Sequence, residues 1–212
     1  MPFQLQQDCR TPARGTPAGH ACRPARAWRA WRWGSALAAL LLLLAGLGVA
    51  RGQEAELEYR LKAAFLYNFL KFTQWPTNKY VPAQPAMVVG CLAEDPAAPL
   101  LARFLEGKTV NGIPIQVVTF QETQDPRSCH VLFLGRSRKG QIEDTLARLR
   151  DAPVLTVGET DLFAHRGGII NFVRHERTFR FEINLEAAEK VRLRISSDLA
   201  SMATIVKASP PK

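Results

Sequence analysis

A chain of 212 residues with a formal net charge of +9 invites a nucleic-acid reading, but the charge is unevenly spread. Residues 1–52 hold seven Arg and one acid, Asp8; the remainder has 21 basic and 18 acidic residues, a net of +3. A domain so nearly neutral lacks the footprint of a phosphate-backbone binder, so nucleic acid is excluded as a partner.

The first 50 residues read as a leader. An Arg-, Ala- and Pro-rich stretch runs to Trp33, and "ALAALLLLLAGLGVA", Ala36 to Ala50, is apolar without interruption. A basic segment, a short apolar core and small residues at Gly48 and Ala50 make a secretory signal. The run is shorter than the roughly 20 apolar residues of a membrane span. The expectation is export by the general route, cleavage near Ala50 and a single periplasmic domain over 54–208. Cys9 and Cys22 leave with the leader. Cys91 and Cys129 stay, either paired, as two cysteines in an exported domain usually are, or as buried free thiols.

Glu54 to Phe72 has no Gly or Pro, and Leu57, Leu61, Phe65, Phe69 and Phe72 recur at helical steps. Ala63, Ala64, Leu66 and Leu70 widen the apolar face beyond that of a simple surface helix. Pro76 ends it, because the residue before a proline disfavours helix. Lys62, Asn68, Lys71 and Gln74 interrupt "KAAFLYNFLKFTQWP" and exclude a membrane anchor. Two uses remain: packing on a sheet, or a dimer or partner surface with Leu66, Phe69, Leu70, Phe72 and Trp75 as candidates.

Downstream, "AMVVGCL", "IQVVTF", "HVLFLG" and "PVLTVG" are apolar runs typical of strands covered on both faces. Helices intervene from Pro96 to Leu105 and from Gln141 to Arg150. "GIINFV" and "TFRFEIN" follow, and in the second Phe179, Phe181 and Ile183 alternate with Arg180 and Glu182, the pattern of a half-exposed antiparallel pair. Two short helices close the chain, the last capped by Ser197 or Asp198. The expected fold is α/β: one compact domain, a mixed, mostly parallel sheet with helices on both faces and a late antiparallel hairpin.

Little chemistry is legible. "LGRSRKG" follows a strand and opens a helix, so Arg136, Ser137, Arg138 and Lys139 form either a solvated basic loop or an anion or nucleotide site. Its G-x-S-x-x-G spacing is not a nucleophile elbow. Cys129 and His130 are strand neighbours and face apart. His165 and His175 lack metal-ligand spacing. Gly167 and Gly168 allow a turn and close backbone approach. Nothing points to an enzyme, a metal or a cofactor.

Taken in order, "LKAAFLYNFLKFTQWP", "VVGCL", "CHVLFLG", "VLTVGETDLFAHRGGIINFV" and "FRFEINLEAAEKVRLRISSDLASMATIV" resemble the YfiR-like family of periplasmic proteins, over about Glu58 to Val206. The resemblance implies a compact α/β domain that tends to dimerise. It implies a non-enzymatic repressor of the periplasmic part of an inner-membrane diguanylate cyclase or related sensor, lowering cyclic-di-GMP output. It also implies relief of that repression by an outer-membrane lipoprotein. The alternative is a periplasmic binder of a small anion or nucleotide at Arg136–Lys139. The resemblance further implies a disulfide between Cys91 and Cys129; a second cysteine pair of the family has no counterpart here. One geometric condition attaches to that pairing. If the two strands are adjacent, parallel and in register, the thiols lie at opposite ends, beyond the about 7 Å that a disulfide spans.

Overall fold

The computed structural model describes residues 53–54, 56–76, 86–93, 95–121, 124–175 and 178–208. The leader, the signal segment and its cleavage point lie outside the described residues, as do the side chains of Ser137, Arg138 and Lys139. Everything described belongs to one compact unit, Ala50–Lys212.

Helix α1 (residues 56–72) leads into a two-residue strand β1 (Thr73–Gln74). Then come β2 (Met87–Leu92), α2 (Ala97–Leu105), β3 (Thr109–Val110), β4 (Ile113–Phe120) and β5 (Val131–Leu134). A 3-10 turn over Arg136–Gln141 feeds α3 (Ile142–Arg148), followed by β6 (Leu155–Gly158) and the hairpin of β7 (Ile170–His175) and β8 (Thr178–Ile183). Helix α4 (Leu185–Lys190), β9 (Arg194–Ile195), α5 (Ser197–Ser201) and β10 (Thr204–Ile205) finish the fold.

Eight strands form one sheet in the order β10-β8-β7-β6-β5-β2-β4-β3. The central pairings β4–β2–β5–β6–β7 are parallel, and β7 meets β8 antiparallel. The apolar runs of β2, β5 and β6 thus sit where both faces are covered, whereas β4, expected to be covered as well, is half-exposed because only short β3 flanks it on its outer side; the alternating segment is the hairpin, as its pattern requires. The sequence reading had neither β3 nor the β1–β9 ladder, and it ended the chain in a longer helix. These pairings are two residues long, too short to show a period. The last helix is capped by Ser196, whose Oγ accepts from Leu199 N while its own N–H donates to Phe72 O.

Two apolar clusters fill the two faces. The larger contains Leu66, Phe69 and Leu70 of α1, Leu101 and Leu105 of α2, and the inward residues of β2 and β5–β8. Phe69 is fully buried, with ring centroids 5.2 Å from Phe181 and 5.7 Å from Phe172. The smaller cluster joins Ile142 and Leu149 at α3 to Leu132, Leu134, Phe120 and Phe163. The paired glycines serve the second face: Gly167 takes φ 101°, and a Cβ on Gly168 would lie 2.1 Å from the Phe163 ring.

Candidate functional site

The chain runs from β2 to β4 on one side, then returns to place β5 on the other. Strand order therefore reverses between β2 and β5, and the crevice beyond their carboxyl ends is where open α/β sheets hold ligands. Here Asp95 follows β2, Gly135 and Arg136 follow β5, and Glu159 follows β6. Helix α1 lays Glu58, Tyr59 and Lys62 over them.

The result is a buried ionic cluster. Lys62 is wholly buried, and its Nζ donates to Glu159 Oε2 and, at 2.5 Å, to Glu58 Oε1. The ammonium also lies 4.6 Å from the Tyr59 ring centroid and 5.1 Å from that of Phe179. Glu159 Oε1 accepts from Arg136 N at 3.0 Å and from the Tyr59 hydroxyl at 3.4 Å. Arg136 reaches Glu58 at 3.3 Å through its guanidinium. Asp95 accepts from Gly135 N and Ala97 N, both at 2.9 Å. Burial pushes the Tyr59 hydroxyl pKa well up, with Glu159, Asp95 and Glu58 adding to the effect and Arg136 opposing it.

This arrangement answers the anion reading of "LGRSRKG". The first two N–H groups after β5 are aimed as an anion cradle would aim them, but Asp95 and Glu159 already fill it. Arg136 is committed to Glu58 and Glu159; the side chains of Ser137, Arg138 and Lys139 lie outside the described residues. The sequence reading missed Lys62 and Glu159. Glu58 and Lys62 stand four apart on one helix face, and Glu159 directly follows an apolar strand, which together were the available signal.

The apolar candidates of α1 sit elsewhere than a free surface. Leu66, Phe69, Leu70 and Trp75 are buried in the larger cluster and Phe72 is half-buried. As an exposed interface this set is corrected: the helix face is wide because the sheet, α2 and the closing segments all pack on it. The large exposed apolar residues described on α1 are instead Leu57 (58%) and Leu61 (44%), one turn apart and followed by exposed Ala64; Leu162, Met202 and Ile205 are exposed elsewhere. Beyond the other end of α1, Trp75 packs edge-on against buried His130 at 5.8 Å, and His130 Nδ1 accepts from Val88 N.

The disulfide is corrected too. β2 and β5 are adjacent and parallel, with Cys91 opposite Phe133, four residues past Cys129. Cys129 lies before β5 with its Sγ beside Gly90, on the face of the sheet opposite that of Cys91. The cysteines belong to different clusters on opposite faces, and no disulfide joins them. Cys129 Sγ donates to Pro126 O at 2.8 Å. Burial, then Asp95 and Cys129, raises the Cys91 pKa far above its usual range.

Among the described residues no group of three or more His, Cys, Asp or Glu could hold a metal ion, and no helix is long and apolar enough to cross a membrane. Residues 59–204, more than half the chain, match a family model described as YfiR/HmsC-like. No curated protein matches the chain. Among solved structures, a conserved domain protein from Vibrio cholerae O1 biovar El Tor strain N16961 is similar at 16% identity and a TM-score of 0.44. That match covers 62% of this chain and 57% of the other.

Proposed function

The chain belongs to the YfiR/HmsC-like family, whose members are periplasmic regulators of cyclic-di-GMP signalling, and from that premise we propose that it represses an inner-membrane diguanylate cyclase or related sensor by binding its periplasmic region. The observation that carries this reading is the exposed apolar stripe Leu57–Leu61–Ala64 on α1. The crevice that would hold a ligand in this fold class is filled by Lys62, Glu159 and Asp95, while the same helix leaves large apolar side chains in solvent. An apolar stripe beside charged residues is the composition of a protein contact rather than of a catalytic pocket. A homodimer and release by an outer-membrane lipoprotein belong to the same proposal, as does cleavage of the leader near Ala50.

Co-purification with the periplasmic region of a membrane cyclase tests it. The expected result is a complex that survives Arg136→Ala but is lost in the double variant Leu57→Asp, Leu61→Asp. A complex indifferent to both aspartates removes the stripe from the contact; no complex with any such cyclase removes the repressor reading.

A further inference from the structure

Between α3 and α4 lies a cleft of about 650 Å³. Its apolar wall is aliphatic: Leu149, Val154, Ile169 and Val191 are all buried side chains that line it. Its rim is cationic. Arg150, Arg166 and Lys190 line the opening, and Glu143 is the single acid among the lining residues. None of the three cations has an ion pair or a hydrogen-bond partner for its side chain among the described residues. By contrast Thr156 and Asn184, the polar groups deeper in the cleft, are already engaged. Thr156 Oγ1 accepts from Ile169 N, and Asn184 donates to Ala164 O and accepts from Ala187 N.

We propose that this cleft binds an amphiphilic anion with an aliphatic body and a terminal carboxylate, such as a medium-chain fatty acid. The volume falls within the about 300–1,000 Å³ of small-molecule sites. With Thr156 and Asn184 already engaged and four buried aliphatic side chains beside them, the floor favours an apolar body, while His165 adds one polar group to the lining. No Phe, Tyr or Trp is among the described lining residues, so a planar ring or nucleobase finds no stacking platform. Three cations free of internal partners select a negative head group, and Arg150 and Arg166 can hold a carboxylate through two parallel N–H donors each. The site is separate from the Lys62 cluster and does not depend on the regulator reading.

Calorimetric titration of sub-micellar dodecanoate into protein purified from cells expressing the full chain tests the proposal. One site per chain is expected. Arg150→Ala with Arg166→Ala should weaken binding at least about tenfold without moving the melting temperature, and uncharged dodecanol should bind weaker by a similar factor. Ala147→Trp, which adds a ring from an exposed position of α3, should block the cleft. Absence of dodecanoate binding overturns the proposal. So does binding that neither the double arginine variant nor Ala147→Trp changes, which places the ligand elsewhere. Equal affinity for dodecanol overturns the anionic head group.

Discussion

On one face of the sheet, α1 and α2 press Leu66, Phe69, Leu70, Leu101 and Leu105 onto the strands, and four phenylalanine rings interlock at Phe65, Phe69, Phe172 and Phe181. On the other face, α3 and the turn carrying Phe163 cover a smaller cluster, and a cleft opens beside α3. Both faces are served by the same strands, so the difference lies in the covering layers. The aromatic layer fixes the fold; the thin layer leaves access. Within the first face the contrast recurs along α1, whose carboxyl-terminal half is core and whose amino-terminal half combines a buried ion pair with exposed leucines.

The contrast breaks first at its strongest points. Phe69→Ala should cost about 3–5 kcal/mol in urea unfolding, because a fully buried ring leaves a cavity that the neighbouring rings cannot fill. Lys62→Ala should cost a similar about 3–5 kcal/mol by stranding the Glu159 carboxylate in the interior. Adding Glu159→Gln to Lys62→Met should recover most of that loss, since the pair then goes as a unit; no recovery would mean that Lys62 matters for packing alone. On the opposite face, Leu146→Ala at the half-buried edge of α3 should cost only about 1 kcal/mol, well short of the buried-leucine range. An equal cost at Phe69 and Leu146 would erase the distinction between the faces.

Alkaline stability sharpens the same contrast. Tyr59 and Cys91 both have pKa values raised in the folded state, from ordinary values of 10.0 and 9.0. The unfolded chain therefore gives up these protons first. Their contribution to stability is full below about pH 9 and is lost as the pH rises beyond it. The urea midpoint should fall as the pH rises above about 9, and less steeply in Tyr59→Phe. A smaller effect is expected from reductant: with the two thiols on opposite faces of the sheet, it should leave the melting temperature unchanged, whereas a drop of several degrees would reinstate a Cys91–Cys129 bond.

The sheet was legible because burial on both faces leaves unbroken apolar runs, as at Val131–Leu134, and half-exposure leaves alternation, as at Phe179–Ile183. The parallel centre and the antiparallel hairpin follow from those two patterns. The ionic cluster was not legible, because Lys62 reads as a polar break in an aromatic helix. Only the topology, which brings the residue after β6 beneath α1, shows that it is the most buried charge among the described residues. Nor did the sequence distinguish which leucines of α1 are core. Leu57 and Leu61 share the period of Phe65 and Phe69, but the covering layer ends before it reaches them. The cleft escaped for the same reason: a gap between helices has no sequence pattern, and its cations lie on three separate segments.

The repressor role is tested most directly by cellular cyclic-di-GMP. Deletion of the gene should raise the nucleotide, the intact chain should restore it, and Leu57→Asp with Leu61→Asp should fail to restore it while folding normally, since both positions are exposed. Unchanged cyclic-di-GMP on deletion would contradict repression of a cyclase; full restoration by the double aspartate variant would contradict the α1 stripe as the surface that delivers it.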